Sequence, residues 1–476
     1  MNRLEDERDI TRRASQLEAA TRARTAATPH RSLVASINGA EVGLLEDQND
    51  TWSFTYADDW RTRPDGYPLS PALPLQNGPL RDGSSRRSVQ WYFDNLLPEQ
   101  GQRTLLARDA NIRNDADAFA LLAHYGAESA GSVTLLPPGL AQGRTSGVQT
   151  PSTDHTTGLR PLADADLERR IAALPRLPLT HDALKRMSLA GAQHKLAVVL
   201  REEGLFEPAG ETPSTHILKP NHQDQSDYPH SVINEWFVMS LAARLRLDVP
   251  AVHRRYVPSP VYLVDRFDRV EQDGEWLRRH SIDACQLLDL ARTFKYEQGS
   301  VEQLAAIAGL CRNQAAARTR LFSWLVFNVL VGNSDAHLKN LSFLVSHEGV
   351  QLAPFYDLLS VAAWSTPMYQ KSDWPRHVSF AWDVLGARYF DDLDRALLLQ
   401  AAEVLGLAIR TAERLLDALV DSIAQSAAIL YARVETENAA LAAQRPDLSA
   451  VLGGELTCLR VIRHTVIADM VRKLSR

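Results

Sequence analysis

The sequence of 476 residues contains few cysteines, no excess of positive charge and no long apolar run. Its three cysteines, Cys285, Cys311 and Cys458, are far apart, which excludes a disulfide framework and a CxxC zinc motif. The 52 Lys and Arg residues against 58 Asp and Glu give a net charge of −6, which argues against a protein that holds nucleic acid by its own charge. The longest apolar run, Trp324–Val331, is much shorter than the ~20 residues that span a bilayer. We therefore expect a cytoplasmic protein with a packed core and no membrane segment.

Sequence motifs of several common enzyme classes are also missing. The chain contains no GxxxxGK[ST], GxGxxG, HExxH or GxSxG pattern. These absences argue against P-loop ATPases, Rossmann dehydrogenases, zinc proteases of the HExxH type and α/β-hydrolases as first interpretations. A catalytic site must be sought in other combinations of polar residues.

Composition and hydrophobic periodicity divide the chain into five predicted parts. The first 30 residues alternate charges with small residues and do not resemble a secretory signal. The stretch between Pro137 and Pro161 is rich in Gly, Ser, Thr, Pro and Gln, and it is the clearest boundary in the chain. The predicted parts are a flexible or helical arm at 1–30, a strand-rich N-terminal subdomain at 31–138, a linker at 139–161, a strand-rich lobe at 162–270 and a helical lobe at 271–476.

The most informative polar cluster follows the longest apolar run. It contains Asp335 and Asn340, with His337 and Lys339 between them. An Asp followed five positions later by an Asn is the spacing of a kinase catalytic loop, in which the Asp orients the attacking hydroxyl and the Asn oxygen holds a metal ion. A predicted β-hairpin follows, and then Asp357 among apolar neighbours, where a metal ion would give the carboxylate a physical role. The alternative is that Asp335 caps a turn, Asn340 begins a strand and Asp357 caps a helix.

A second set of candidate residues lies upstream. Gly191 belongs to a small-residue loop, Ser188–Lys195, whose backbone amides can approach a polyphosphate closely. Lys219 ends an apolar strand and is the candidate for binding the α and β phosphates, and Glu235, on a predicted helix, is a candidate partner for its ammonium group. Taken singly, the same features also describe an ordinary hairpin, a solvated lysine and a surface glutamate.

Taken together and in order, these segments resemble the HipA-like serine/threonine kinases, the toxin halves of bacterial toxin–antitoxin pairs. The resemblance extends from about Trp52 to Ala428. It does not include the first 30 residues, and it is lost at Met368–His377, where a substrate would be held, so it does not identify the substrate. The matching segments are Trp52–Tyr56, Pro68–Pro74, Phe93–Pro98, Gly126–Gly131, Ser188–Lys195, Thr215–Pro220, Asp265–Asp268, His280–Gln286, Asp335–Asn340 and Pro354–Asp357.

The resemblance implies further site residues. Ser188 matches the serine that the family autophosphorylates to switch the kinase off. With Asp335 as the catalytic base, Asn340 and Asp357 would hold Mg²⁺. The ATP phosphates would be covered by Ala190, Gly191, Ala192, Gln193, His194 and Lys195, the adenine would meet a hinge at Asp265, Arg266 and Phe267, and the rest of the nucleotide site would comprise Lys219, Glu235, His337, Lys339, Asn340, Tyr356 and Asp357.

We therefore predict an α+β, bilobal protein-kinase-like fold with a strand-rich N-lobe, a mainly helical C-lobe and an additional N-terminal subdomain. The predicted function is that of an ATP- and Mg²⁺-dependent serine/threonine kinase that halts translation by phosphorylating a host protein, such as an aminoacyl-tRNA synthetase. The predicted partners are this protein substrate and a small DNA-binding antitoxin of the HipB type, through which DNA would be reached. Two alternatives stay open: an inactive or self-inhibited kinase fold that acts as a corepressor, and a kinase of small molecules.

Overall fold

The computed structural model describes residues 30–145, 158–187 and 189–475. Within them, the chain forms a first sheet with its helices, then a second sheet, then a mainly helical region. Three predictions fall wholly or largely outside the described residues: the arm at 1–30, apart from His30, the linker at 139–161, of which residues 146–157 are not described, and the role of Ser188.

The N-terminal region is built on a five-stranded antiparallel sheet. Its strand Arg31–Ile37 buries Leu33, Ala35 and Ile37 on one face, which is the period-two pattern of a half-buried strand. In spatial order the strands are Leu80–Arg81, Thr51–Tyr56, Ala40–Gln48, Arg31–Ile37 and Thr134–Leu136, and the helices of this region are Asp58–Thr62, Ser88–Asp94, Gln100–Asp109, Ala118–Tyr125 and Pro138–Thr145.

A six-stranded antiparallel sheet follows. The helix Ser231–Arg244 packs against two of its strands, and the helix Asp164–Ala172 precedes the sheet along the chain. The edge strand Leu159–Pro161 lies within the predicted linker; an extended segment of any composition can pair with open backbone groups at a sheet edge, so composition did not reveal it. In spatial order the strands are Val252–Tyr256, Pro260–Asp265, His216–Pro220, Leu196–Arg201, Gly204–Pro208 and Leu159–Pro161, and a separate hairpin joins Arg269–Gln272 to Glu275–Arg278.

The C-terminal region is mainly helical. Its helices are Ala284–Leu287, Val301–Leu310, Gln314–Leu330, Arg395–Val404, Ile409–Gln444, Ser449–Val461 and Ala468–Leu474, with a π-helical turn at Ile462–Ile467 between the last two. A three-stranded sheet of Ser281–Asp283, Ser342–Ser346 and Gly349–Leu352, and a hairpin of Ser379–Val384 and Ala387–Tyr389, are inserted among them.

In the part of the chain that the structure describes, one helix, Ile409–Gln444, has the length and mean hydropathy of a membrane-spanning helix. Its buried stripe includes Leu416, Leu419, Val420 and Ile423. Their i, i+3, i+4, i+7 spacing is that of the apolar face of an amphipathic helix, and this face packs into the core of the helical region.

Candidate active site

A cleft with a volume of about 560 Å³ lies between the second sheet and the helical region. Most of the residues predicted for the nucleotide site line it. His194 does not, because its buried ring contacts the side chains of Gln102, at 3.0 Å, and Gln223, at 2.7 Å. The predicted residues that line the cleft are Ala190, Gly191, Ala192, Gln193, Lys195, Lys219, Glu235, Asp265, Arg266, Phe267, Asp335, His337, Lys339, Asn340, Tyr356 and Asp357.

Lys219 is the centre of a buried charge cluster in this cleft. Its ammonium group donates one hydrogen bond to Glu235 Oε1, at 2.7 Å, and another to the carboxylate of Asp357. Lys219 comes from a strand of the second sheet, Glu235 from the helix packed on that sheet, and Asp357 from the segment after the hairpin of the helical region. The contact predicted between Lys219 and Glu235 is therefore present, and both side chains are only 4% exposed.

The charges in this cluster depend on one another. Burial alone would lower the pKa of Lys219, but the carboxylates of Asp357 and Glu235 outweigh burial and raise that pKa above its usual range. Burial would likewise raise the pKa of Asp357, but Lys219 and Lys195 hold it well below its usual range. Burial and the charge of Asp357 raise the pKa of Glu235, despite the neighbouring ammonium group. At neutral pH, the cluster holds a charged lysine against a charged Asp357.

The loop before the strand Leu196–Arg201 closes one side of the cleft. Gly191 has a φ angle of +111°, which favours glycine, and a Cβ atom there would lie 2.7 Å from Lys195 Nζ, so a larger residue would displace that ammonium group. Burial and the charge of Lys219 lower the pKa of Lys195 to about 8. The ammonium groups of Lys195 and Lys219 thus lie in the same cleft as the small residues Ala190, Gly191 and Ala192, an arrangement suited to a polyphosphate.

Asp335 lies in the turn after the helix Gln314–Leu330. Its backbone N–H donates to Asn333 Oδ1 at 3.1 Å, and its carbonyl oxygen accepts a hydrogen bond from Asn340 Nδ2 at 2.9 Å. The Tyr296 hydroxyl donates to Asp335 Oδ1 at 2.5 Å. Asp335 is therefore held at its backbone and at one carboxylate oxygen, which makes Oδ2 the candidate acceptor for the proton of a substrate hydroxyl.

Asn340 and Asp357 offer the oxygen atoms for a divalent cation. Because the Asn340 amide nitrogen donates to the Asp335 carbonyl, its Oδ1 is the atom available as a ligand. Asp357 has a φ angle of +54°, a left-handed conformation that Asp adopts more readily than most residues and that often marks an active site. Carboxylate and amide oxygens are the ligands that Mg²⁺ prefers, so the chemistry of this pair fits the predicted metal.

Asp265 ends a strand at the rim of the cleft. Its Oδ1 lies 3.0 Å from His216 Nε2 and 3.2 Å from His253 Nε2. Burial would raise the pKa of Asp265, but the hydrogen bonds and charges of the two imidazoles lower it below its usual range. The Asp265 side chain thus contacts two histidines of the second sheet, so the part of Asp265 that the predicted hinge offers to a nucleobase is its backbone.

The other two predicted hinge residues differ in their surroundings. The Arg266 guanidinium donates to both carboxylate oxygens of Asp268, at 2.9 and 2.7 Å, so its charge is neutralised within the protein. The Phe267 ring stacks on Tyr356, with 5.6 Å between the ring centroids, and offers an aromatic surface suited to a base. These contacts favour Phe267 over the Arg266 side chain as the group that meets adenine, and the hinge stays a prediction.

Lys339 has a different environment from the one its neighbourhood in the sequence suggests. Its ammonium group donates to Asn95 Oδ1 at 2.8 Å, to the Asn95 carbonyl oxygen at 3.0 Å and to Asp283 Oδ2 at 2.6 Å. An ammonium group has three protons to donate, so these acceptors leave none for a phosphate. The arrangement favours a structural role for Lys339 over contact with the nucleotide.

Glu99, Lys295 and Tyr296 are among the residues of the cleft that were not anticipated from the sequence. Lys295 Nζ donates to Glu99 Oε2 at 2.7 Å, and the Glu99 backbone N–H donates to the Gly191 carbonyl oxygen at 3.2 Å. The only local signal was a set of charged and aromatic residues at or beyond the ends of regular elements, which is where functional side chains tend to lie.

Comparisons with known proteins identify the family of this chain. The family models described as HipA N-terminal domain and HipA-like C-terminal domain match residues 33–136 and 187–427. The protein named "Putative kinase Y4mE", from Sinorhizobium fredii, is 36% identical over 336 residues, which cover 69% of this chain and 76% of that protein. The "Serine/threonine-protein kinase toxin HipA" of Shewanella oneidensis is 33% identical over 333 residues, which cover 66% of this chain and 70% of that protein.

A solved structure extends the likeness to most of the fold. It is that of the Shewanella oneidensis toxin–antitoxin complex of HipA, HipB and operator DNA, and the matched chain has a TM-score of 0.69 and 26% identity. The match covers 93% of this chain and 100% of the other. The predicted α+β kinase-like fold and the predicted family are thus confirmed. This chain belongs to the HipA family of serine/threonine-protein kinases.

Proposed function

We propose that this kinase is the toxin of a toxin–antitoxin pair and transfers the γ-phosphoryl group of ATP to a serine or threonine of a host protein. The observation that carries the proposal is the meeting of two sets of residues in one cleft. Lys219 and the loop at Gly191 offer cations and space for phosphates, whereas Asp335, Asn340 and Asp357 offer a base and metal ligands.

In this mechanism Asp335 accepts the proton of the attacking hydroxyl, while the hydrogen bond from Tyr296 fixes one of its oxygens. Lys219, oriented by Glu235, would bind the α and β phosphates, and Asn340 and Asp357 would hold Mg²⁺. A bound Mg²⁺ would offset the charge that develops as the γ-phosphoryl group moves to the hydroxyl oxygen and ADP leaves. The protein contributes positioning and fixed charge rather than covalent chemistry.

The partners are inferred from chemistry and from the relatives. A related chain was solved with the antitoxin HipB and operator DNA, so we infer a small DNA-binding antitoxin of the HipB type for this chain also. The net charge of −6 is consistent with DNA contact through that partner rather than through an extended basic face. The substrate is inferred to be a cytoplasmic protein of translation, with aminoacyl-tRNA synthetases as the first class to examine.

We also propose that Ser188 is autophosphorylated and switches the enzyme off. Ser188 directly precedes, in the sequence, the loop residues that line the cleft. A phosphate on it would add negative charge and bulk next to the nucleotide loop along the chain. We further propose that the chain is divided into the five parts predicted from its sequence, with a linker at 139–161.

Incubation with MgATP followed by intact-mass and phosphopeptide analysis tests the proposal. Wild type should gain one phosphate on Ser188, whereas the Ser188→Ala and Asp335→Gln variants should not gain it. If wild type gains no phosphate and binds no nucleotide, the proposal is wrong, and the chain is better interpreted as a corepressor that acts through its antitoxin.

A further inference from the structure

We propose that the N-terminal region positions the catalytic residues of the kinase. Asn95 and Glu99 hold the catalytic loop in place through Lys339 and Lys295, and Tyr296, next to Lys295, holds Asp335. We call Asn95, Glu99, Lys295, Tyr296 and Lys339 the brace. The contacts of the brace are independent of the proposed function, whereas its effect on the rate of phosphoryl transfer rests on that function. These are positioning residues, since they act through Asp335 and its loop rather than on the reacting atoms.

Asn95 forms the first link. It lies at the end of the helix Ser88–Asp94 and is 1% exposed. Its Nδ2 donates to the carbonyl oxygens of Trp91, at 2.9 Å, and Leu290, at 3.0 Å, while its Oδ1 and its own carbonyl oxygen both accept from Lys339. Because every polar group of the Asn95 side chain is engaged, Lys339 is tied to a fixed point of the N-terminal region.

Glu99 forms the second link, and it reaches both walls of the cleft. Its carboxylate accepts from Lys295, whose carbonyl oxygen in turn accepts from the backbone N–H of Leu338 in the catalytic loop, at 3.1 Å. Its backbone N–H donates to the carbonyl oxygen of Gly191 in the phosphate loop. Burial would raise the pKa of Glu99, but Lys339 and Lys295 hold that pKa below its usual range, so the carboxylate is charged at neutral pH.

Tyr296 forms the last link. It follows Lys295 directly, its hydroxyl donates to Asp335 Oδ1 at 2.5 Å, and its ring packs against the His337 ring at 4.9 Å between centroids. The hydroxyl therefore restricts rotation of the carboxylate that must meet the substrate. A small error in such a position can cost a large factor in rate while nucleotide binding is unaffected.

Hydrogen–deuterium exchange of the full chain without nucleotide tests the contacts. In Glu99→Gln, the amides of residues 337–341 should exchange at least about fivefold faster, the factor expected for the loss of about 1 kcal/mol. Those of the strand Arg31–Ile37 should be unchanged, which separates local loosening from global unfolding. The matched control is Glu41→Gln, which removes an exposed carboxylate from the same region. Unchanged exchange at 337–341 in a folded Glu99→Gln would overturn the proposal.

The rate of phosphate incorporation into the chain tests the consequence, and Tyr296→Phe serves even if Glu99→Gln does not fold. Its maximal rate should fall at least about tenfold, with the half-saturating ATP concentration changed less than about twofold. Tyr389→Phe is the control, because Tyr389 is 37% exposed, close to the 40% of Tyr296, and does not line the cleft. An unchanged maximal rate in Tyr296→Phe would overturn the role of Tyr296. If wild type itself incorporates no phosphate, the proposed function fails, and the exchange experiment still decides whether the brace exists.

Discussion

Replacing Glu128 with glutamine should strongly destabilise the protein, because this carboxylate joins the N-terminal region to Lys185, to Arg266 and to the separate hairpin that carries Arg269 and Arg278. Glu128 is fully buried, and burial would raise its pKa, but the surrounding cations outweigh burial and hold the pKa well below its usual range. Four cations surround it: Arg269 at 2.7 Å, Lys185 at 2.8 Å, Arg278 at 3.0 Å and Arg266 at 3.4 Å.

The expected loss of unfolding free energy depends on which acceptors each cation keeps after Glu128 is replaced. Arg266 and Arg269 retain the carboxylate of Asp268, at 2.7 and 3.1 Å. Within the described residues, Lys185 and Arg278 retain only weaker backbone acceptors, the carbonyl oxygens of Thr212, at 3.3 Å, and Glu211, at 3.2 Å. Breaking a buried ion pair costs about 3–5 kcal/mol. Because two of the four cations keep a carboxylate, we expect the lower end, a loss of about 3 kcal/mol.

Urea unfolding at pH 7, followed by tryptophan fluorescence, measures this loss. The control is Glu41→Gln, which removes an exposed carboxylate and should change the unfolding free energy by less than about 0.5 kcal/mol. The double variant Glu128→Gln, Lys185→Met should lose less unfolding free energy than the sum of the losses in the two single variants, because the two substitutions remove the same ion pair. A loss below about 1 kcal/mol for Glu128→Gln would refute the reasoning.

Three further predictions concern the cleft and the interior. Lys219→Met should weaken ATP binding at least about tenfold by calorimetry, because a charge-assisted contact to phosphate contributes about 1.5–3 kcal/mol; unchanged affinity would rule out its role as phosphate clamp. Gly191→Ala should also weaken ATP binding, since its φ is +111° and the new Cβ would press on Lys195, whereas the control Gly204→Ala, with φ +142° and open space, should not; equal affinities would contradict the argument. Burial lowers the pKa of His280 to about 4, so the unfolded chain binds a proton that the folded protein does not, and the contribution of His280 to stability should fall by roughly 3 kcal/mol between about pH 6.5 and pH 4. A pH dependence of the unfolding free energy that is the same in wild type and in a folded His280→Gln would show that His280 is not buried in its neutral form.

The local parts of the site could be predicted from the sequence. Asp335 and Asn340 lie in one turn, and Asn340 donates to the Asp335 carbonyl, so their spacing carries the geometry directly. Lys219 ends a strand and Glu235 lies on the next helix, and the two are only 16 positions apart. Where a few residues of turn or one strand–helix unit separate two groups, local structure brings them together and the pattern is visible in the chain.

The long-range parts could not be predicted in this way. Lys339 meets Asn95 across 244 positions, and Lys295 meets Glu99 across 196. Such contacts depend on how the N-terminal region packs against the helical region, which neither periodicity nor spacing encodes. Lys339 shows the difference: its neighbours in the sequence belong to the catalytic loop and it lines the cleft, but its ammonium group donates to Asn95 and Asp283.

The measurement that tests the central claim most directly compares ATP binding with phosphoryl transfer in Asp335→Gln. Binding can be measured by calorimetry and transfer by intact mass, with the exposed Asp383→Gln of the same region as the control. If Asp335 is the base, the variant should bind MgATP within about threefold of wild type but transfer at least about a hundredfold more slowly. Transfer at the wild-type rate by a folded Asp335→Gln would contradict the account.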